Sequence, residues 1–309
     1  LMVTKEFESP SELLDYFYSQ RDSVARMKQK AQDLFKLLVN TTDRIARRTA
    51  NQRQELKECA NRDKLKKYGD LIMANLYQIE KGQGSVEVDD FYEPDCPKVK
   101  IQLDKRLNAS QNAQKYYHEY RKADTAEKKL TALIKEGEEE LLYIDSVFDS
   151  LTRATTESEV SELRAELAEQ GYVKLSRVKG KPPKALPPIN FISSDGFEIR
   201  VGRNNKQNDK LTCKDSEKQD IWLHTKNITG SHTVISCQGQ EPPERTIVEA
   251  AIIAAFHSKG RNSSQVPVDY TLIRNVKKPA GAKPGMVIFT DNKTLYVTPD
   301  EELVERLKV

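Results

Sequence analysis

Asp220-Ile-Trp-Leu-His-Thr-Lys-Asn-Ile-Thr-Gly-Ser-His-Thr-Val-Ile-Ser236 holds the only tryptophan, Trp222, and two of the four histidines, His224 and His232. Ile221 with Leu223, and Val234 with Ile235, read as two short buried strands. The polar run Thr225–Gly230 between them reads as a turn, with Gly230 supplying a positive φ. The stretch predicts a hairpin carrying two imidazoles and a lysine at one end. Two readings of it stand side by side. In one, Trp222 and the imidazoles are packed with their hydrogen bonds met. In the other, Lys226, Ser231 and His232 line a polar site for an anionic partner. The spacing does not choose between them.

The surrounding residues extend the hairpin into a domain over 188–309. Asn190–Ser194 and Phe197–Val201 flank the turn pair Asp195-Gly196, a second hairpin signal. Gly202–Lys210 follows as a loop rich in amides and cations. Pro243–Ser258 is the one apolar helix. Val268–Ile273, Met286–Phe289 and Leu295–Thr298 read as strands, and Glu301–Lys308 as a terminal helix. One buried helix among short strands is an α+β pattern.

Upstream the pattern changes. Ser9-Pro10-Ser11-Glu12 is a helix start, with Ser9 the cap and Pro10 at the first helical position. No glycine or further proline follows before Gly69. Val24, Met27, Ala31, Leu34, Leu38, Thr41 and Ile45 repeat by threes and fours, a coiled-coil seam. A second helix spans about Gln111–Leu151, with Leu130, Leu133, Gly137, Ile144, Val147 and Leu151 on its apolar face and Leu141 and Phe148 widening it. From Arg21 to Lys67 there are fourteen bases and six acids, and from Glu136 to Glu169 eleven acids and two bases, Arg153 and Arg164. Opposite charge on two helices of similar length predicts an antiparallel hairpin; forty residues of helix reach roughly 60 Å. Exposed ion pairs contribute at most ~1 kcal/mol each, so the seam must supply most of the stability. Glu138-Glu139-Glu140 reads as a solvated face.

Between these helices, 62–111 reads as a small α+β tip: a short helix over Tyr68–Leu76, then strands at Val86–Val88 and Val99–Leu103. Ser158–Gly171 is a further short helix, closed by Gly171. Basic and proline-rich 173–187 is a semi-stiff linker. The predicted organisation is a first coiled-coil helix (1–61), a middle tip domain (62–111), a second helix with the short helix (112–172), the linker (173–187) and the C-terminal domain (188–309). The fold class is α+β, a long antiparallel helical hairpin with a small α+β tip, followed by an α+β domain.

Charged residues are 31% of the chain and the mean hydropathy is −0.69, which suits a long solvated element in an elongated monomer. The net charge of +3 says little about partners. No stretch approaches the ~18 apolar residues of a membrane span. Cys59, Cys96, Cys213 and Cys237 are scattered without a C-x-x-C pair, which fits a reducing cytoplasm. The chain carries no nucleophile elbow, Walker loop or H-E-x-x-H. Neither an enzyme activity, a cofactor nor a metal site is expected.

Nucleic-acid binding is the better-supported chemistry. Arg203, Asn204, Asn205, Lys206 and Asn208 can offer guanidinium, ammonium and amide groups to phosphate and 2′-OH. Arg200, Lys226, Lys277, Lys278 and Lys283 extend that surface, and His224, Ser231 and His232 adjoin it. The opposing reading is an ordinary mixed surface, since 190–309 holds seventeen bases and fifteen acids.

Ordered motifs then resemble the NFACT family: Asp195-Gly-Phe-Glu-Ile-Arg-Val-Gly-Arg-Asn-Asn205, Asn208-Asp-Lys-Leu-Thr212, Asp220-Ile-Trp-Leu-His224, Gly230-Ser-His232 and Val268-Asp-Tyr-Thr271. Tyr68-Gly-Asp-Leu-Ile72 and Ser110-Gln-Asn-Ala-Gln-Lys-Tyr-Tyr117 resemble the family's coiled coil with its middle domain. The resemblance implies that 188–309 is the family's RNA-binding domain. It implies partners too: the large ribosomal subunit, through rRNA and the stalk base, and tRNA, with alanyl-tRNA recruited for C-terminal alanine tailing of stalled chains by the full-length bacterial proteins. The N-terminal NFACT domain, with its tRNA-recognising Asp-Arg pair, and a helix-hairpin-helix domain are expected to be absent, so this stretch alone should not support tailing. The older family description, fibronectin-binding protein, leaves a second reading open, that of a surface adhesin. Gly196, Gly202, Gly230 and Trp222 are expected to serve the fold rather than contact a partner.

Overall fold

The computed structural model describes the backbone of residues 10–174 and 186–309, and the side chains of 27–174 and 186–309. Ser9, the side chain of Val24, and the linker residues Arg177, Lys179, Lys181 and Lys184 lie outside the described residues. The chain forms two compact units, Arg44–Glu139, and Leu1–Asp43 with Glu140–Val309.

The elements of the first half are α1 (Pro10–Cys59), α2 (Arg62–Ala74), β1 (Ser85–Asp89), β2 (Lys98–Gln102), α3 (Ala109–Arg153) and α4 (Glu157–Glu169). Within Arg44–Glu139, β1 and β2 pair antiparallel, with Val86 opposite Ile101 and Val88 opposite Val99. Alternation puts Val86 and Val88 inward and Glu87 and Asp89 outward. They close a small core with Leu71, Ile72, Ile101, Leu103 and Ala113. Burying each large side chain stabilises by about 1.5–3 kcal/mol, which is little for a unit this size. Polar ties help: the Tyr117 and Tyr92 hydroxyls both donate to the Asp70 carboxylate, at 2.6 and 2.7 Å.

In this unit α1 and α3 run antiparallel, with Arg53 paired to Glu138, and Arg62, at the start of α2, paired to Glu127. The seam of α3 differs from the one expected. Ile134 is 9% exposed and Leu133 is 43% exposed. The buried frame steps from Leu130 to Ile134 to Gly137, four then three, so Leu133 falls one position outside it. Glu138 and Glu139 are exposed, as a solvated face should be.

In the other unit, Leu34 and Leu38 of α1 are buried, and Phe35 meets Phe148 of α3 edge-on at 5.1 Å. α4 starts with a capping box: the Glu159 N–H donates to the Thr156 hydroxyl and the Thr156 N–H to the Glu159 carboxylate. It ends as expected at Gly171, where the Tyr172 and Gly171 N–H groups donate to the carbonyls of Leu167 and Ala168.

The C-terminal domain follows in the order β3 (Ile189–Ile192), β4 (Glu198–Val201), α5 (Asn205–Cys213), β5 (Ile221–Thr225), β6 (Thr233–Ile235), α6 (Glu244–Phe256), β7 (Val266–Leu272), β8 (Val276–Lys277), β9 (Ile288–Phe289), β10 (Lys293–Val297) and α7 (Glu301–Leu307). Six strands form one antiparallel sheet ordered β10-β7-β5-β6-β4-β3, and β8 pairs with β9 apart from it. The period-two rule divides β5 between the two faces. Ile221 and Leu223 pack with Ala250, Ile253 and Ala254 of α6. Trp222 packs on the opposite face with Leu211 of α5, Val234 and Ile273.

Two expectations are corrected here. The stretch after Gly202 is not a loop. Asn204 caps a helix by accepting from the Gln207 N–H, and Asn205–Cys213 is α5. Gly230 does not supply the positive φ of the β5–β6 turn; Asn227 does, at 55°. Glycine is needed at 230 for space, since a Cβ there would lie 2.8 Å from the Ser258 Cβ and 2.9 Å from the Thr225 hydroxyl.

Candidate nucleic-acid interface

The two imidazoles sit on the α5 side of the sheet around the indole. His224 stacks on Trp222 at 5.8 Å with 7° between the rings, and His232 stands edge-on to it at 5.2 Å. Phe289 of β9 approaches from outside at 4.9 Å. The His232 Nε2–H faces the Gly285 carbonyl at 3.1 Å, so Nδ1 is the acceptor for the Thr212 hydroxyl at 2.7 Å. With both nitrogens satisfied inside the fold, burial, with a smaller push from His224, brings the His232 pKa down to about 3. Burial also lowers that of His224, whose Nε2–H faces the Gly230 carbonyl at 3.3 Å. His232 is thus a neutral packing group at physiological pH, not a cation for phosphate. Its backbone is equally fixed: its N–H donates to the Asn208 side chain at 3.1 Å, and its carbonyl accepts from the Gly202 N–H at 3.1 Å. Gly202 has no room for more, because a Cβ would lie 2.1 Å from the Asn208 Oδ1.

Most of the amide- and cation-rich stretch faces α3 and α4 rather than solvent. The Arg203 guanidinium donates to Glu159 at 2.7 Å and to the Pro187 carbonyl at 2.9 Å. The Asn204 amide donates to Glu162 at 2.8 Å. Buried Asn205 donates to the Ser146 hydroxyl at 2.8 Å and to Glu166 at 3.1 Å. Lys206 pairs with Glu169 at 2.8 Å, half exposed. Burial pushes the Glu166 carboxyl above its usual range, against the hydrogen bonds from Asn205 and Tyr143. Burial acts the same way on Glu159, but the Thr155 and Thr156 N–H groups and Arg203 outweigh it and hold that carboxyl below its usual range. Four carboxylates of the acidic run thus meet this stretch, where pairing with the basic α1 was expected; Lys30 with Glu157 is a pair of the expected kind.

The remaining candidates are scattered. Arg200 donates to the Asp215 carbonyl at 3.0 Å and is mostly covered. Ser231 is buried and accepts from Arg153 at 3.2 Å. Lys278 pairs with Asp209. Lys226 lies 3.8 Å from Asp269 and 45% of its side chain is exposed. Lys277 is exposed with no polar partner among the described residues.

What the fold does bring together is a cleft of about 490 Å³ lined by Tyr143, Trp222, His224, Lys226, Met286 and Phe289, among others. The Trp222 Nε1 is buried there without a partner. Lys283 lies beside it, 5.5 Å over the Tyr143 ring and 5.2 Å over Tyr172. Trp222 and Tyr143 are themselves buried, so what the cleft offers is the partly exposed rings of His224 and Phe289 with lysines at the margin, which suits a base with its phosphate outside. Tyr143, on α3, was not found from sequence, because only tertiary packing places it opposite β5. Among the described residues, no group of His, Cys, Asp and Glu is arranged to hold a metal ion, and no helix is long and apolar enough to cross a membrane.

Comparison with known proteins matches residues 2–185 to the family model described as NFACT N-terminal and middle domains, and 188–291 to the NFACT protein RNA binding domain. The chain is 42% identical over 307 residues to Rqc2 homolog RqcH of Bacillus subtilis (strain 168), covering 98% of this chain and 53% of that protein. It is 37% identical to Rqc2 homolog RqcH of Streptococcus suis (strain 05ZYH33), covering 98% and 54%. It therefore spans about half the length of these curated relatives. A solved structure, the C-terminal of the fibronectin/fibrinogen-binding protein from Streptococcus suis, aligns with a TM-score of 0.75 at 33% identity, over 92% of this chain and 100% of that one. The chain belongs to the NFACT family and is RqcH-like.

Proposed function

We propose that this chain is the coiled-coil, middle and RNA-binding part of a cytoplasmic ribosome quality-control factor, and that it acts by binding rather than by catalysis. The observation that carries this is the 42% identity, over 98% of the chain, to an Rqc2 homolog. The match of 188–291 to an RNA-binding domain supports RNA as a partner. In this reading the Trp222–His224–Phe289 cleft takes an unpaired tRNA base, and Lys226 and Lys283 meet its phosphates. The unit Arg44–Glu139 docks on the large subunit, at rRNA and the stalk base. Its exposed Tyr77, Phe91 and Tyr92 suit a protein contact, and the bases of α1 and α2 suit an rRNA contact. In the full-length protein, alanyl-tRNA recruitment and alanine tailing would follow.

The test is sedimentation with purified large subunits. Replacing 62–111 by a short turn should abolish co-sedimentation while leaving tRNA binding intact; co-sedimentation equal to the parent's would refute docking by that unit. A second reading is favoured by one observation: the solved structure that aligns with this chain is that of a fibronectin/fibrinogen-binding protein. Saturable binding of soluble fibronectin, with no binding to the large subunit, would establish that reading instead.

A further inference from the structure

A second cavity, of about 240 Å³, opens on the α6 side of the sheet, where the ends of α3, α4, α6 and α7 converge. His257, just past α6, stands in its wall between Phe191 and Phe256, at 5.8 and 5.4 Å. Its Nε2 is buried and has no hydrogen-bond partner. Four cations line the same space: Arg153, Arg203, Arg261 and Lys308. Three are compensated, Arg153 by Asp149 at 2.9 Å, Arg203 by Glu159 at 2.7 Å and Lys308 by Glu305 at 3.5 Å. Arg261 is exposed, lies 4.8 Å over the Phe256 ring and has no carboxylate partner among the described residues.

A buried polar atom without a partner is a rare feature that asks for an occupant. The charge balance says which kind. Four cations against three carboxylates leave one positive charge, and a protonated His257 would supply a second. A doubly charged, tetrahedral anion fits both charges, and the space holds it with room for waters. We propose that this pocket binds a phosphate monoester group, with Arg261 and the His257 Nε2–H as its principal donors. Arg153 and Lys308 add their field from α3 and α7.

The electrostatics of the pocket agree. Burial, and then the charges of Arg153, Lys308, Arg261 and Arg203, hold the His257 pKa down to about 3. An entering dianion reverses the sign of that field, so it should draw a proton onto His257, and binding should tighten as pH falls. The site does not depend on the RNA-binding cleft on the opposite face of the sheet.

The test uses the whole chain and follows the His257 imidazole resonances by NMR while inorganic phosphate is added. The expected result is a saturable shift of His257 toward the protonated form, with His232 unmoved. Arg261→Glu should weaken binding at least tenfold; this side chain is exposed, so the fold should persist. Lys308→Gln should weaken it about threefold and serves as the second variant. An RNA oligonucleotide carrying a 5′-phosphate, compared with the same RNA ending in 5′-hydroxyl, identifies the source. A tenfold preference for the phosphorylated end assigns the pocket to RNA termini, and equal binding assigns it to free phosphate compounds, provided that phosphate itself moves His257. A His257 signal that does not move with phosphate, or moves equally in Arg261→Glu, overturns the proposal.

Discussion

His232 and His257 stand on opposite faces of one sheet, and both imidazoles are held near pKa 3. Burial is the larger cause in both, and the smaller causes differ. His232 itself has every polar group partnered: Thr212, Gly285, Asn208 and Gly202 account for both ring nitrogens and both backbone groups. Around His257 one ring nitrogen has none, and four cations look on. Burial, with a smaller push from His224, makes the first a packing unit; burial with the field of nearby cations makes the second a receptor. A histidine conspicuous in a sequence motif is therefore the poorer guide to binding here.

The sharpest way to break this comparison is to overfill the satisfied side. Gly202→Ala sets a Cβ against the Asn208 amide and backbone, and should destabilise by about 3 kcal/mol in urea unfolding. An unchanged midpoint would mean the network is loose. Asn208→Ala should cost about 2 kcal/mol, because the His232 N–H is left buried without an acceptor. The equivalent loss on the other face, His257→Phe, removes no hydrogen bond from the ring and should cost far less.

The pH dependence sharpens the contrast further. Both imidazoles have folded pKa values below the unfolded 6.5, so their contribution to stability is complete above pH 6.5 and declines as pH falls toward 3. Between pH 6.5 and about 5, each contributes a slope of up to about 1.4 kcal/mol per pH unit, and Glu166, whose carboxyl burial raises, contributes in the opposite sense. His257→Phe should remove one such share, read from urea midpoints at the two pH values. A slope unchanged in that variant would contradict the depressed value.

The smallest expected effect concerns RNA. Lys277→Ala should weaken tRNA binding only two- to threefold and lower the salt slope by about 0.7–0.9, as for one lost phosphate contact. Arg203→Ala should instead lower the unfolding midpoint, because its guanidinium is held by Glu159 and the Pro187 carbonyl. An Arg203 variant of unchanged stability that loses tRNA affinity would reverse this assignment.

Much of the fold was legible because its signals are local. Asp195-Gly196, the alternation through Val86–Val88, the apolar run of α6 and the closure at Gly171 each depend on a few neighbouring residues. Helix α5 was not legible: nine residues of mostly polar character show no strong apolar stripe, and the cap at Asn204 sat inside a run of amides that reads equally as loop. The frame of the α3 seam failed by one residue at Leu133 because Leu133 and Ile134 are equally apolar, so only packing decides between them. The partners of Arg203, Asn204, Asn205 and Lys206 lie on α4, some forty residues away, which no local pattern reveals. The His257 pocket draws on the ends of four helices and left no motif at all.

The contact between α4 and the stretch 203–207 has a practical consequence. Within the intact chain, Glu159, Glu162, Glu166 and Glu169 occupy the guanidinium, amides and ammonium much as an acidic ligand would. A fragment excised from 186 onward would lose that resident competitor and present the same groups bare to any polyanion. Its affinity for RNA would then report on a surface that the whole protein keeps covered, so the fragment and the chain should be ranked separately in any binding assay.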